Sequence, residues 1–264
     1  MDGIGLSLDR MREKSPLVQC ITNYVAMNIA ANVLLAAGAS PAMAHAEEEA
    51  GEFAALAGAL TINLGTISPH WLGGMRAAID GARGAGRPWV LDPVACFATG
   101  LRREVAAEMV ALAPDIIRGN ASEILALSGG TGGGKGVDSG DPVSAAEEGA
   151  RALARRTGGV VAVTGKVDFV TDGTRAARVH GGSAWMPRCT ALGCSLTGLV
   201  GAFAAVAPDR PLDATVAALA MFGVAGAQAH EGAGGPGSFQ VAFLDRLAGC
   251  DGAMLRDQAR LDWL

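Results

Sequence analysis

The feature that most constrains the fold is a repeated alternation of short apolar segments with longer, alanine-rich segments. The apolar segments have the length of β-strands, at 17–21 (LVQCI), 59–64 (ALTINL), 88–92 (PWVLD), 115–118 (DIIR) and 159–164 (GVVAVT). Helix-like sequence follows them, at roughly 25–37, 70–84, 102–112, 120–128 and, later, 194–206. Short strands that are apolar throughout and alternate with helices predict an α/β fold, with a mainly parallel central sheet and helices on both faces.

Two regions depart from this alternation. Residues 168–180 (DFVTDGTRAARVH) carry a TDG turn between two β-prone runs, which predicts an antiparallel hairpin at a sheet edge. After residue 190 the pattern predicts an almost wholly helical chain. We find neither an internal repeat nor a linker, so we expect one domain over residues 1–264.

Charge and cysteine content exclude several classes of protein. The net charge is −5 and lysine and arginine do not cluster, whereas a nucleic-acid surface needs a basic stripe. The five cysteines form no CxxC pair, which predicts free thiols in a reducing compartment. The N-terminus lacks the apolar run of a signal peptide.

Two long apolar stretches, 191–207 and 212–229, raise the question of a membrane protein. Gly, Ser, Thr or Asp interrupt both of them, and neither is flanked by basic loops. We therefore interpret them as helices buried in an α/β protein, and we expect a cytoplasmic location.

The glycine-rich stretch 129–141 (GGTGGGKGVDSGD) partly matches a phosphate-binding P-loop. That motif needs Ser or Thr after the lysine, where this chain has Gly136, and it follows a strand rather than a helix. We favour a surface loop or lid over a nucleotide-binding motif.

Polar residues stand where the predicted strands end. These positions are Thr22-Asn23, Asn63-Leu64-Gly65, Asp92-Pro93, Arg118-Gly119-Asn120 and Thr164-Gly165. Because ligands of open parallel sheets bind beyond the carboxyl ends of the strands, we expect these residues to form one polar ligand rim.

Two of these positions have both a structural and a functional interpretation. In RGNASE (118–123), Asn120 and Glu123 fit a helix capping box, but a carboxylate and an amide beside an arginine also suit a hydrated cation and a phosphate. Asp92 is either a turn residue before proline or a metal ligand at a strand end. Both alternatives stay open at the sequence level.

Cys194 follows small residues at the predicted start of a helix (TALGCSLTG, 190–198). The first amides of such a helix form an anion site, and a thiol near that positive terminus is expected to have a depressed pKa. A buried structural cysteine is the alternative. The sequence lacks the closing glycine of the GxSxG motif, which excludes a serine hydrolase elbow.

Residues 20–46 (CITNYVAMNIAANVLLAAGASPAMAHA) closely resemble the substrate-binding start of hydroxyethylthiazole kinases, thiamine-salvage enzymes with a ribokinase-like fold. Further matching segments follow in the family's order: TINLGT (61–66), LDPV (91–94), IRGNASEILAL (117–127), GKGVDS (134–139), AVTGKVDFVTDG (162–173) and LGCSLTG (192–198). The first segment is highly specific, whereas DPV and NxxE also suit the wider ribokinase superfamily.

The resemblance implies ATP-dependent, magnesium-dependent phosphorylation of the hydroxyl of 4-methyl-5-(2-hydroxyethyl)thiazole by a homotrimer with sites between subunits. It implies that the thiazole binds to Asn23, Val25, Gly65, Ala191 and, from a neighbouring subunit, Met43. It further implies ATP binding by Arg118, Thr164 and Gly193, a magnesium shell of Asp92 and Glu123, and a catalytic Cys194 where most ribokinase-like enzymes have aspartate.

Two departures from the family pattern fall near the reacting groups. Ala191-Leu192 stands where the family has Gly-Thr before Gly-Cys, and Ala95-Cys96-Phe97 replaces small residues after DPV. These changes bear on substrate identity and efficiency and not on the fold. The alternatives are another ribokinase-like small-alcohol kinase, an ATP- or ADP-dependent NAD(P)H-hydrate dehydratase, and a catalytically impaired relative that binds ligand.

Overall fold

The computed structural model describes residues 2–130, 134–135, 138–139 and 142–264, and its centre is a mainly parallel sheet. The strands of this sheet are β1 (Leu17–Ile21), β2 (Ser40–Ala42), β3 (Ala59–Asn63), β4 (Trp89–Asp92), β5 (Ile116–Asn120), β8 (Val160–Thr164), β9 (Val167–Thr171), β10 (Ala176–His180) and β11 (Arg260–Trp263). They lie side by side in the order β2-β1-β3-β4-β5-β8-β9-β10-β11. All neighbours from β2 to β8 pair in parallel, and β9, β10 and β11 continue the sheet in antiparallel pairs.

Helices cover both faces of the sheet. They are α1 (Asp2–Lys14), α2 (Met27–Ala37), α3 (Glu47–Leu56), α4 (Pro69–Gly84), α5 (Gly100–Ala111), α6 (Ala121–Leu127), α7 (Val143–Thr157), α8 (Leu192–Val206), α9 (Pro211–His230), α10 (Pro236–Gly249) and α11 (Gly252–Gln258). The buried residues of α1, α2 and α8 to α11 form one apolar core, and those of α3 to α7 form a second. Ile116 belongs to the first core and its neighbour Ile117 to the second, because successive strand residues point to opposite faces. The strands are therefore apolar throughout, and the predicted layering is confirmed.

The sequence prediction of the elements is confirmed for its five strands and their helices to within a few residues, and 168–180 is the hairpin of β9 and β10. The expectation of an almost wholly helical chain after residue 190 is wrong at its end, where β11 pairs with β10. Arg260–Trp263 alternates charged and apolar residues along an exposed sheet edge, so it lacks the apolar run of the buried strands. The sequence patterns also did not predict α1, β2, α3 and α7.

The longest apolar helix, α9, is a core helix. Among the described residues it is the one helix long and apolar enough to cross a membrane, with a mean hydropathy of 1.4, but 78% of that window is buried inside the fold. The five cysteines are free thiols, as predicted.

Much of the glycine-rich stretch 129–141 lies outside the described residues, so its expected role as a loop or lid stays a prediction. Two short pieces of it are described, β6 (Gly134–Lys135) and β7 (Asp138–Ser139), and they pair in antiparallel fashion.

Candidate active site

The polar residues at the strand ends meet along one edge of the sheet, as expected. Pairing in parallel register places Asn63 of β3 beside Asp92 of β4, and Asn120 of β5 beside Thr164 of β8. Cys194, in the first turn of α8, lies at the same edge, where its Sγ is 3.5 Å from Nδ2 of Asn23. The parallel strand pairing and the position of α8 thus bring together polar groups from six separate strands, helices and loops.

A continuous chain of hydrogen bonds runs along this edge. Asn23 Nδ2 donates to Asn63 Oδ1 (2.8 Å), and Asn63 Nδ2 donates to Asp92 Oδ2 (2.7 Å). Arg118 continues the chain, with one terminal nitrogen 3.5 Å from Asp92 Oδ2 and the other donating to Thr164 Oγ1 (2.6 Å). Five residues that the sequence analysis placed on the rim are therefore one connected network.

The segment that follows β1 is a tight turn built on Asn23. The side-chain oxygen of Asn23 accepts hydrogen bonds from the amides of Val25 (3.1 Å) and Ala26 (3.0 Å). A Cβ at Gly65 would lie 2.5 Å from Asn23 Nδ2, so glycine is needed for the close approach of the two loops. Tyr24 and Val25 are 72% and 57% exposed, which leaves an apolar surface beside the buried amides.

The start of α8 has an unusual backbone. Ala191 precedes the helix with φ 62° and ψ 11°, a left-handed conformation that favours glycine. A Cβ at Gly193 would lie 3.0 Å from a terminal nitrogen of Arg118, so this glycine lets the helix start against the guanidinium. The helix N-terminus and Arg118 thus face the same space, as an anion site requires.

The expected depressed pKa of Cys194 is wrong. Burial raises the pKa of the thiol to about 11, and the negative charge of Asp92 adds to this effect. The sequence shows the helix start but not the buried carboxylate beside the sulfur. Cys194 is therefore a neutral thiol at physiological pH.

Comparison with known proteins identifies the family of the chain. Residues 8–251 match the hydroxyethylthiazole kinase family. The chain belongs to this family. A hydroxyethylthiazole kinase of Rhizobium johnstonii is 66% identical over 257 residues, 97% of this chain and 96% of the relative. One of Cereibacter sphaeroides is 64% identical over 262 residues, 99% of each chain.

Solved structures agree with the ribokinase-like fold. The structure of a hydroxyethylthiazole kinase protein from Pyrococcus horikoshii aligns over 100% of both chains with a TM-score of 0.91 and 42% identity. A pyridoxal kinase from Staphylococcus aureus in complex with ADP aligns over 94% of this chain and 98% of its own with a TM-score of 0.63. At 13% identity the second likeness concerns the fold alone.

In this member of the hydroxyethylthiazole kinase family, Glu123 forms the capping box that the sequence allowed. Its Oε2 accepts a hydrogen bond from the Asn120 amide and its Oε1 accepts one from the Ala95 amide, both at 2.8 Å. Burial, and then the charge of Asp92, raises the pKa of Glu123 to about 7. The capping interpretation is confirmed, and the functional one stays open because each carboxylate oxygen has a second lone pair.

Asp92 and Glu123 suit a magnesium ion that arrives with a nucleotide. The described part of the chain contains no group of three or more His, Cys, Asp or Glu side chains that could hold a metal ion. Magnesium needs only one or two carboxylates when phosphate oxygens and waters complete its shell. In addition, Arg118 Nε is buried with no hydrogen-bond partner in the described residues, as expected of a donor for a phosphate oxygen.

Met43 is not part of the network. It follows β2 at the edge of the sheet, half-buried against the first core, and its carbonyl oxygen lies 2.8 Å from His45 Nδ1. A role for Met43 at the site of a neighbouring subunit therefore stays a proposal.

Three further polar side chains lie at this edge that were not predicted from the sequence. The Arg102 guanidinium donates to the carbonyl oxygens of Leu64, Gly65 and Val94 and so ties two site loops together. Burial raises the pKa of Asp168 to about 6, against the opposing effects of the Gly165 amide hydrogen bond and the charge of Arg118. Thr197 donates to Asp92, and its position three residues after Cys194 on the same helix face could have revealed it.

Proposed function

We propose that the chain transfers the γ-phosphoryl group of ATP to the hydroxyl of 4-methyl-5-(2-hydroxyethyl)thiazole, the salvage reaction of thiamine synthesis. The single observation that carries this proposal is the hydrogen-bonded edge, which joins a neutral amide turn to a buried aspartate and a buried arginine. Family membership supports the choice of substrate.

Each end of the network suits one substrate. The amide turn at Asn23, with the Val25 backbone, Gly65 and Ala191, would hold the uncharged thiazole alcohol. Arg118, Thr164 and the Gly193 amide would bind the phosphates of ATP at the start of α8, where the helix dipole favours negative charge. Asp92 and Glu123 would hold magnesium, which when bound would neutralise charge on the transferred group.

The residues act chiefly by positioning and charge. Phosphoryl transfer has a loose transition state and needs little proton transfer at the attacking oxygen. Cys194 fits such a reaction as a neutral group beside the alcohol, because a thiol with a pKa of about 11 is not a base at pH 7. Arg118 would stabilise charge on the phosphoryl oxygens.

A homotrimer with Met43 reaching a neighbouring site is part of this proposal. The exposed side chains of Tyr24 and Val25 support it, because a second subunit would cover apolar surface next to Asn23. We also propose that residues 1–264 act as one kinase domain, and that the protein is cytoplasmic, which the free thiols support.

The deciding experiment is a coupled assay of ADP formation with and without the thiazole alcohol. We expect turnover only with the alcohol and a divalent cation. ATP turnover independent of the alcohol would contradict the proposal. Tight binding of the alcohol without turnover would point instead to a catalytically impaired relative.

A second experiment addresses the trimer. Met43→Asp should reduce alcohol binding strongly, since an unpaired charge in an apolar pocket costs several kcal/mol. Light scattering that shows a fully active monomer would contradict a site shared between subunits.

A further inference from the structure

Three hydrogen-bond donors from three separate elements converge on one oxygen of Asp92. Thr197 Oγ1 on α8 donates to Asp92 Oδ2 (2.9 Å), and Asn63 Nδ2 on β3 donates to the same oxygen (2.7 Å). Arg118 on β5 is farther away, at 3.5 Å. The two short bonds thus come from neutral side chains to which the proposed function assigns no role.

Both neutral donors have little freedom to move. Thr197 is 1% exposed and Asn63 is 2% exposed. The oxygen of the Asn63 amide accepts hydrogen bonds from Asn23 Nδ2 (2.8 Å) and the Gly65 amide (2.9 Å), so its nitrogen must face Asp92. A flipped Asn63 would set its oxygen against a carboxylate and its nitrogen against two N–H donors.

The consequence concerns the orientation of the Asp92 carboxylate. A carboxylate held at one oxygen by donors from a helix and a strand cannot rotate freely about its Cβ–Cγ bond, so the direction of its other oxygen is set as well. The guanidinium of Arg118 supplies charge at longer range, while the hydroxyl and the amide supply direction. Asn63 also connects this carboxylate to the Asn23 turn.

We propose that Thr197 and Asn63 are positioning residues that orient Asp92 for phosphoryl transfer. This inference rests on the proposed function, in which Asp92 lies at the phosphate and magnesium end of the site. It differs from a purely structural role because the loss of the Thr197 bond acts on the nucleotide side and spares the affinity for the alcohol.

The test compares Thr197→Val, which replaces the hydroxyl by a methyl group at nearly constant shape, with Thr197→Ser, which keeps the hydroxyl. Thr215→Val is the matched control. Thr215 is a buried helical threonine in α9 whose hydroxyl bonds to the Pro211 carbonyl oxygen (2.7 Å), outside the active site. For each variant we would measure kcat and KM for ATP and for the alcohol, the magnesium dependence, and calorimetric affinities for the alcohol alone and for MgADP.

In Thr197→Val we expect kcat to fall about 10- to 100-fold, the effect of losing a hydrogen bond to a charged group. MgADP affinity should fall and the magnesium requirement should rise, while the affinity for the alcohol alone stays unchanged. Thr197→Ser should recover most of the activity, and Thr215→Val should retain it. If Thr197→Val does not fold, Thr197→Ala, which adds no atom, takes its place.

Wild-type kcat and MgADP affinity in Thr197→Val would overturn the inference. So would a Thr197→Ser variant as impaired as Thr197→Val, since the hydroxyl would then not be the cause. Failure of the wild-type protein to phosphorylate the alcohol would instead contradict the proposed function, and the MgADP titrations would still test the positioning of Asp92.

Discussion

The two halves of the active site lie along one edge of the sheet and differ in the charge of their groups. The ionic half consists of Asp92, Arg118, Glu123 and Thr164, and the amide half consists of Asn23, Val25, Gly65 and Cys194. In the ionic half, burial raises the pKa of both carboxylates, and Arg118 opposes the shift in each. In the amide half, backbone and side-chain amides make neutral hydrogen bonds, and the thiol stays protonated.

From this difference we expect each half to bind a different substrate. Buried charges are costly to maintain unless they meet opposite charge, so the ionic half suits a ligand that brings phosphates and a cation. The amide half has no net charge and lies next to exposed apolar side chains, which suits a neutral heterocyclic alcohol. The following predictions test whether the halves act as separately as their chemistry indicates.

The largest effect is expected for Arg118→Ala. Loss of an arginine on transferring phosphates costs about 10³-fold or more in kcat. Arg118 is 9% exposed and paired with buried Asp92, so the small stability change expected of a surface residue does not apply. We expect a loss of about 3 kcal/mol in the free energy of unfolding, as for a broken buried pair. Steady-state kinetics and urea denaturation measure the two effects, and near-wild-type kcat would contradict the assignment.

The second prediction concerns the pH dependence of stability through Glu123. Its pKa rises from 4.5 in an exposed glutamate to about 7 in the fold, so the folded state holds the proton more tightly. The stabilisation of the fold by this tighter proton binding is fully present below about pH 4.5, and it is lost as the pH rises through about 7. The slope is at most about 1.4 kcal/mol per pH unit.

Glu123→Gln cannot titrate, so the difference in the free energy of unfolding between this variant and the wild-type protein should change over this pH range. Denaturation without magnesium, from pH 4 to 8, measures the difference. Equal slopes in both proteins would contradict the raised pKa. If the variant keeps the wild-type magnesium dependence of activity, Glu123 is a helix cap only.

A smaller effect is expected for Cys194→Ala. General-base catalysis contributes about 10²- to 10⁴-fold, but a thiol that is protonated at neutral pH does not supply it. We expect kcat to fall by less than about tenfold, with Cys194→Ser as the control that keeps a polar atom. A loss beyond about 10³-fold with intact ATP binding would show that the thiol is indispensable.

The smallest effect is expected for Ala191→Gly. Replacing alanine at φ 62° by glycine relieves the strain of a side chain in the left-handed conformation. We expect a net gain of about 0.5–1 kcal/mol in the free energy of unfolding. Ala113→Gly, at φ 55° after α5, is the matched control outside the site. Both variants should be stabilised, but only Ala191→Gly should raise kcat/KM for the alcohol. Equal kcat/KM in both would mean that the start of α8 is adapted to alanine.

The fold and the place of the site follow from the sequence, whereas the electrostatics do not. Apolar strands with polar ends predict both the parallel sheet and the edge where Asn23, Asp92, Arg118 and Thr164 meet. The direction of the pKa shift of Cys194 could not be predicted, because it depends on burial of the thiol and on the charge of Asp92, which is distant in the chain.

Two other features escaped prediction for similar reasons. Thr197 lies three residues after Cys194 on the same helix face, but its bond to Asp92 does not follow from the sequence until the facing strand is known. The edge strand β11 pairs with β10 through a backbone ladder that needs no apolar run, so its sequence carries little signal. Local pattern thus predicts elements, while contacts between distant segments determine the chemistry.

The central claim is that the ionic half binds the nucleotide and the amide half binds the alcohol. Calorimetric titration of MgADP and of the thiazole alcohol, each alone, into Arg118→Ala and Gly65→Ala tests it directly. A methyl group at Gly65 would push against Asn23, with its Cβ 2.5 Å from Nδ2. We predict that Arg118→Ala loses MgADP affinity and keeps the alcohol, and that Gly65→Ala does the reverse. Loss of both ligands in each folded variant, or the opposite pattern, would contradict the division.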